Sequence, residues 1–324
     1  MVKAIRITET GGPEVLKLVD VDLADPGAGE VQVKHKAIGL NYIDTYFRTG
    51  LYPAPIPCGL GLEAAGVVTT VGDGVTTLKE GDRVAYGSGP LGAYSEAQNA
   101  PANRLVTVPD GVSDNDAAAM MLKGMTAHYL LRRTYEVKAG DTILFHAAAG
   151  GVGLIACQWA KHLGATVIGT VGSEEKAALA KQAGADHTIL YRDEDVPARV
   201  REITGGKMVP VVYDGVGKDT FEMSLNCLAP LGLLASFGNA SGPVPPFDLS
   251  ILNLKGSLFV TRPSLAAYTA SDEDLAMTAA ELFEVMAKGA VKADVRQEYA
   301  LADAAQAHKD LEGRKTTGAT VLIP

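Results

Sequence analysis

The residues Ala147-Ala148-Ala149-Gly150-Gly151-Val152-Gly153 carry the clearest chemistry in the chain. They follow an apolar run, Thr142 to Phe145, and open an amphipathic stretch that begins at Val152. Small residues at a strand-to-helix turn let backbone approach a dinucleotide pyrophosphate, and the helix N-terminus offers it free N–H groups and the positive end of a dipole. Ala148 stands where the first glycine of G-x-G-x-x-G is usual, with Gly150 and Gly153 in the later two places. Alone, the turn specifies a bound nucleotide and no more. The next strand, Thr166 to Thr170, sharpens this. An acid about twenty residues past the turn would hold the ribose 2′-hydroxyl of NAD, but Val171 is apolar there, and Ser173 and Lys176 offer a hydroxyl and a cation suited to a 2′-phosphate. NADP(H) is therefore expected over NAD(H). The alternative reading makes Ser173 a helix cap and Lys176 a solvated cation.

Other chemistries find little support. The histidines at 35, 128, 146, 162, 187 and 308 are scattered, and Cys58, Cys157 and Cys227 have no C-x-x-C spacing, so no metal-ligand cluster is expected. The cysteines read as reduced structural thiols. His146, at the carboxyl edge of the sheet, is expected to pack or to hydrogen-bond at the helix start, with catalysis as the alternative reading, and Glu63 reads as a satisfied structural carboxylate in an apolar turn. No G-x-S-x-G turn supports a serine nucleophile. Hydride transfer remains, because a nicotinamide brings its own reactive carbon.

The elements that must position these residues fall into two patterns. From Met1 to about Asp110, short strands alternate with Gly/Pro/Asp turns: Ala4 to Ile7, Val15 to Val19, Glu30 to Lys34, Gly66 to Val71 and Arg83 to Tyr86, the spacing of a β-barrel-like unit. Ser113, with Asp116 three residues on, caps a helical run from Ala117 to Leu131. From Thr142 strands and helices alternate. Val152, Ile155, Ala156, Trp159, Ala160 and Leu163 mark one crossover helix ended by Gly164. Strands follow at Thr166 to Thr170, His187 to Leu190, Val209 to Tyr213, Leu231 to Phe237 and Gly256 to Thr261. Helices are expected near Glu174 to Ala183, Val196 to Thr204 and Lys218 to Cys227. Six strands with crossovers predict a doubly wound parallel α/β sheet. Beyond Pro263, a helix at Asp272 to Ala287 and strands at Val295 to Tyr299 and Gly318 to Ile323 are expected to return to the N-terminal unit.

The 324 residues are 47% hydrophobic and 21% charged, which suits two globular domains, and the net charge of −9 opposes non-specific binding to nucleic acid or anionic membrane. The N-terminus lacks a signal pattern and no apolar run is of spanning length, so a cytoplasmic address is expected.

Several segments together resemble the medium-chain dehydrogenase/reductase superfamily, and within it the zinc-free quinone oxidoreductases related to zeta-crystallin. They are Gly11-Gly12-Pro13-Glu14-Val15-Leu16, Gly39-Leu40-Asn41-Tyr42-Ile43-Asp44-Thr45-Tyr46, Gly50-Leu51-Tyr52-Pro53, Gly61-Leu62-Glu63-Ala64-Ala65-Gly66, the Ala147 to Gly153 turn, Val212-Tyr213-Asp214-Gly215-Val216-Gly217 and Ser236-Phe237-Gly238. Zinc-dependent members carry a Cys three residues before the Asp and a Gly-His-Glu; here Asn41 and Leu62 stand in the ligand positions, and the four-cysteine structural lobe is missing.

The resemblance implies a GroES-like catalytic domain over residues 1–122 and 264–324, a Rossmann nucleotide-binding domain over 123–263, and a cleft holding cofactor and active site. It implies that Asn41, Tyr46 and Tyr52 line the nicotinamide side and act in catalysis, with Lys123, Thr126 and Tyr129 approaching from one helix face. Gly150, Gly151, Val152 and Gly153 take the pyrophosphate, and Gly172, Ser173, Lys176 and Tyr191 the 2′-phosphate end. Val216, Phe237, Gly238, Asn239, Ala240, Phe259, Val260, Thr261 and Arg314 complete the cofactor site. Tyr46 and Tyr52 as core or interface aromatics, and Arg314 as a surface charge, are the plainer alternatives. The implied activity is transfer of hydride or single electrons from NADPH to a quinone without metal. The rivals are an NADPH-dependent reductase of enone or enoyl double bonds and a non-catalytic crystallin-like or RNA-binding role. The run Leu252 to Val260 is expected to form the last strand of the sheet and to pair subunits in a homodimer.

Overall fold

A computed structural model describes residues 1–324. The chain divides into two compact units, one of residues 1–125, 269–283 and 293–324, the other of residues 126–268 and 284–292. No helix is long and apolar enough to cross a membrane.

The first unit opens with β1 (Val2–Ile7), β2 (Lys17–Val21), β3 (Glu30–Leu40), α1 (Tyr42–Thr49), β4 (Cys58–Gly59), β5 (Ala64–Val71), β6 (Arg83–Tyr86), β7 (Ala97–Pro101), β8 (Val106–Thr107) and α2 (Asp114–Tyr129). In β3, Val31, Val33, His35 and Ala37 face inward while the residues between them face out, the period-two pattern of a half-buried strand. Val31 and Val33, with Ile38 and Leu40 of the same strand, join Ile5, Ile7, Leu60, Val84 and Leu322 in one apolar core. Helix α1 begins where Asp44 turns back to accept from Asn41 N at 2.9 Å, and it ends at Gly50, whose φ of 80° suits a left-handed C-terminal stop. Ser113 caps α2 as expected, its Oγ accepting from Asp116 N at 3.0 Å. A π-helical segment, Leu130–Thr134, extends it.

In the second unit, β9 (Thr142–Phe145), α3 (Gly151–His162), β10 (Thr166–Val171), α4 (Glu174–Gln182), β11 (His187–Leu190), α5 (Val196–Ile203), β12 (Val209–Asp214), α6 (Phe221–Cys227), β13 (Leu228–Ser236), α7 (Ser250–Leu254), β14 (Phe259–Thr261) and α8 (Leu265–Tyr268) follow in sequence. The sheet order is β11-β10-β9-β12-β13-β14, parallel throughout, so the expected six-stranded doubly wound sheet is present. The order reverses between β9 and β12, the switch point where such sheets bind ligands beyond their carboxyl ends. Leu144, Ile168, Ile189, Val212 and Leu234 form its core.

The chain closes with α9 (Asp272–Ala287), β15 (Val295–Ala300), α10 (Ala304–Glu312) and β16 (Ala319–Ile323). Strand β16 pairs antiparallel with β3, Leu322 opposite Ile38, so the C-terminal strands do return to the N-terminal unit.

Some expectations need correction. Val15 lies in a 3-10 turn, Pro13–Val15, and β2 starts only at Lys17, because Pro13 opens a helical turn there. The last strand of the sheet is Phe259–Thr261: residues Ser250 to Leu254 form α7, and Gly256 and Ser257, with φ of 110° and 57°, break the backbone before the strand. The run Leu252 to Val260 is thus helix, turn and a short edge strand. Helices α1, α7, α8 and α10, and strands β4, β7 and β8, are present beyond the expected elements.

Candidate functional site

In the first unit, a buried polar cluster forms where β3 passes into α1. Glu63 is fully buried; its Oε1 accepts from Leu122 N at 2.6 Å, and its Oε2 accepts from Asn41 Nδ2 at 2.7 Å and Lys123 Nζ at 3.1 Å. A side chain at Gly39 would collide with that carboxylate and with Ala118 O, which explains a glycine at this point of β3. Asp44, also buried, accepts through Oδ2 from Asn41 N and, at 2.8 Å, from Tyr94 OH. Burial pushes the Asp44 acid up to about 7, against the opposing effects of the Asn41 amide, the Tyr94 hydroxyl and the Lys123 cation. Tyr46 is nearly buried, and its ring lies 5.2 Å from that of Tyr52, edge on. Tyr52 N also donates to Tyr46 O at 3.0 Å. The structure thus brings Asn41 to Lys123 through a shared carboxylate, and Tyr46 to Tyr52 through a ring pair. Arg314 follows α10 in the left-handed region at φ 59°.

In the second unit, the turn after β9 is built of backbone. Ala147 sits at φ 54°, uncommon for a residue with a Cβ. Ala148 N donates to Thr170 O and Gly150 N to Ala147 O. A Cβ on Gly153 would lie 2.7 Å from Ala148 O, so only glycine lets the helix start this tightly under the turn. Gly150 is the N-cap of α3 without a side-chain cap, and the first turn carries no acid. By contrast, Ser173 caps α4, its Oγ accepting from Lys176 N at 3.3 Å, and Asp195 caps α5. The uncapped start of a twelve-residue helix fits a dinucleotide pyrophosphate. Its chemistry is that of an anion site.

The remaining residues of this unit fall at the carboxyl ends of the strands. A Cβ on Gly172 would lie 2.9 Å from the Tyr191 hydroxyl, which places these two side by side after β10 and β11. Val216 N donates to Asp214 Oδ1 at 2.8 Å. Ala240 N donates to Gly215 O, and a side chain on Gly238 would collide with the same carbonyl, so the loop Phe237 to Ala240 lies against the Gly215 loop. Asn239 shares that loop, accepting through its carbonyl from Gly242 N at 2.9 Å. Phe259, Val260 and Thr261 form the edge strand, opposite Leu233, Leu234 and Ala235. Thr126 is buried, and Tyr129 stacks on Tyr268 with ring centroids 4.7 Å apart. Ser173 caps the helix, the plainer of its two readings, and its own hydroxyl proton is not used in that bond.

His146 packs as expected, though not at the helix start. Its Nδ1 lies 2.8 Å from Thr170 Oγ1 and its Nε2 3.0 Å from Ser224 Oγ, and Ser224 Oγ donates to Asp214 Oδ2 at 2.8 Å. Burial holds its pKa below the usual imidazole value, with Asp214 opposing. Asp214 Oδ1 in turn fixes the N–H groups of Val216 and Gly217. Asp44, Glu63, Tyr94 and His308 organise the polar cluster of the first unit, and His146 and Asp214 that of the second. From sequence only His146 and Glu63 had been given roles, both structural; Asp44, Glu63 and Asp214 stood in the quoted motifs, which was the available signal. No group of three or more His, Cys, Asp or Glu side chains is placed to hold a metal ion. All three cysteines are buried and free.

Comparison with known proteins bears on each unit in turn. The family model described as alcohol dehydrogenase GroES-like domain matches residues 27–110, and that described as zinc-binding dehydrogenase matches residues 151–281. The chain is 58% identical over 325 residues to the quinone oxidoreductase of Pseudomonas aeruginosa, covering all of both chains. It is similar to the Escherichia coli quinone oxidoreductase structure complexed with NADPH, at 55% identity and a TM-score of 0.98, covering 99% of this chain and 100% of that one. A 2-haloacrylate reductase of a Burkholderia species is 46% identical, with 100% of this chain and 99% of the relative covered.

Proposed function

This chain belongs to the quinone oxidoreductases of the medium-chain dehydrogenase/reductase superfamily, and from that premise we propose how its residues reduce a quinone with NADPH. Bound NADPH supplies the hydride. The chain's own groups bind, orient and stabilise charge. The uncapped start of α3 with Gly150, Gly151, Val152 and Gly153 takes the pyrophosphate, and this is the observation that carries the reading. Ser173, Lys176, Tyr191 and the Gly172 backbone hold the 2′-phosphate. Val216, Phe237 to Ala240, Phe259 to Thr261, Lys123, Thr126, Tyr129 and Arg314 complete the cofactor contacts. Asn41, Tyr46 and Tyr52 face the acceptor, whose developing oxyanion they stabilise by hydrogen bonding.

The reaction as proposed uses no zinc. Asn41 and Leu62 occupy the ligand positions of the metal-dependent members, and the Asn41 amide is engaged with Glu63. A quinone needs no Lewis acid, because it is electrophilic and its product is aromatic. NADPH oxidation by simple benzo- and naphthoquinones, measured with NADPH and NADH in parallel, tests the assignment. Equal use of NADH would remove the 2′-phosphate site, and inertness toward every quinone would remove the substrate. The 2-haloacrylate reductase relative favours a second reading, reduction of an activated carbon–carbon double bond, and a haloacrylate belongs in the same assay.

We place the enzyme in the cytoplasm as a homodimer. Leu231, Leu254 and Phe259 are 68%, 82% and 60% exposed around the β13–α7–β14 edge, an apolar surface suited to a second copy. A monomer by light scattering at micromolar concentration would overturn that assignment.

A further inference from the structure

The cluster of Asp44, Glu63 and Lys123 places two carboxylates beside one ammonium, all inside the first unit and nearly closed to solvent. Glu63 is saturated by the Leu122 amide, the Asn41 carboxamide and Lys123. Asp44 is not: Oδ2 accepts from Asn41 N and Tyr94 OH, while Oδ1 is buried without a hydrogen-bond partner. The far side of Tyr94 is fixed as well. Arg48 can only donate, so His308 Nδ1, 3.0 Å from Arg48 Nη1, accepts and its Nε2–H points at Tyr94 OH, 3.1 Å away. Arg48 is itself forked onto Glu312. That polarity directs the Tyr94 hydroxyl proton toward Asp44. With both carboxylates ionised, the cluster holds a net negative charge in a low-dielectric site, and one added proton neutralises it.

We propose that Lys123 is the proton donor to the reduced acceptor, and that Asp44, by taking up or losing a proton, sets how readily Lys123 donates. The assignment rests on the reading that Asn41 faces the acceptor, since Lys123 shares Glu63 Oε2 with it. Once the acceptor has gained a hydride, its oxygen carries a negative charge. An N–H bond of Lys123 breaks, an O–H bond forms, and the electron pair of the broken bond stays on a neutral Lys123 amine. The product leaves as a neutral hydroquinone, and solvent returns one proton to Lys123. With Asp44 neutral, one carboxylate opposes release of the proton. With Asp44 ionised, two carboxylates hold it back. The same balance is visible in Asp44, whose acid is raised by burial and by Glu63 and lowered by Lys123.

Infrared titration of the cofactor-free protein tests the switch, and steady-state kinetics test its consequence. Wild type is expected to show a buried carboxylic acid band that disappears through neutral pH and is missing in Asp44→Asn. Tyr94→Phe removes a donor from the ionised form and moves the midpoint upward. In turnover, kcat is expected to fall above that midpoint, by up to about tenfold per pH unit, to the lower plateau of the Asp44-ionised form, with a flat profile in Asp44→Asn. Lys123→Arg keeps the cation but holds its proton too tightly to give it. It should lose kcat, read at saturating NADPH, by at least about a hundredfold, and NADPH affinity, which Lys123 also serves as a proposed cofactor contact, is read separately by fluorescence. An Asp44 that stays ionised from about pH 5 to 9, or an Asp44→Asn variant that keeps the pH limb, overturns the donor assignment in a quinone-active enzyme. Inertness toward every quinone overturns the assigned reaction whatever the titration shows.

Discussion

Ser173 illustrates how a single side chain can serve the fold and a ligand together. Its oxygen accepts from Lys176 N, and in the proposed site its proton is left for the 2′-phosphate. Replacing Lys176 with Ala is expected to weaken NADPH binding by about tenfold or more, the effect of losing one charge-assisted hydrogen bond of about 1.5–3 kcal/mol. NADH binding should be unaffected, and calorimetric titration of both cofactors distinguishes the outcomes. Ser224 shows a purely positional role. It links His146 to Asp214, and Asp214 fixes the Val216 loop. Ser224→Ala leaves a buried imidazole nitrogen without a partner and Asp214 Oδ2 with only the Thr220 hydroxyl, so about 1–3 kcal/mol of stability should be lost in urea unfolding.

At the scale of elements, the start of α3 is decisive. Gly151→Asp puts a carboxylate where the pyrophosphate is proposed to bind. An acid in a first turn favours the helix by about 0.3–1 kcal/mol, so melting without cofactor should be unchanged or slightly raised. NADPH should nevertheless lose its stabilising shift, and a full shift in the variant would show that the phosphates bind elsewhere. The β13–α7–β14 edge carries the second prediction at this scale. The edge strand is only three residues long, so in the proposed dimer the apolar side chains of α7 matter more than strand pairing. Leu254→Glu is expected to shift sedimentation from dimer to monomer without loss of secondary structure.

For the whole molecule, buried titratable groups set the response to pH. Burial holds His35 at about 4 and His308 at about 3, and His146 is lowered too. An unfolded chain would protonate these rings near their ordinary 6.5, so the fold binds fewer protons and loses stability as pH falls from about 6.5 toward 4 and 3. Asp44 works in the opposite direction. Its acid is raised from 3.8 to about 7, so the fold holds a proton that the unfolded chain lacks, and stability is lost as pH rises through that window. The histidines outnumber it. Melting temperature should therefore fall on acidification from pH 6.5 to 4, at about 1.4 kcal/mol per pH unit for each proton of net difference. Asp44→Asn removes the opposing contribution and should steepen the fall; a shallower fall would contradict the direction assigned to Asp44.

Locally encoded features were legible in the chain. The turn Ala147 to Gly153, the crossover helix ended by Gly164 and the capped helix after Ser113 depend on backbone geometry and neighbours within a few residues. Composition and spacing therefore report them. The six-stranded parallel sheet follows in the same way, because each of its strands is an apolar run separated by a helix. The barrel strands β4, β7 and β8 are two to five residues long and pair with partners remote in sequence, so they leave little periodic trace. Leu252 to Val260 shows the limit from the other side: its apolar run suggests a strand, but the backbone at Gly256 and Ser257 divides it between a helix and a short edge. The residue types at 41, 44, 62 and 63 determined by themselves that the ligand positions of the metal-dependent relatives are not filled as they are there. Only the tertiary structure decided that Lys123, sixty residues from Glu63, rests its ammonium on that carboxylate, and that Tyr94 and His308 align on Asp44. The reason is physical: burial and Coulombic neighbours act through space, and folding brings together charges that the chain keeps far apart.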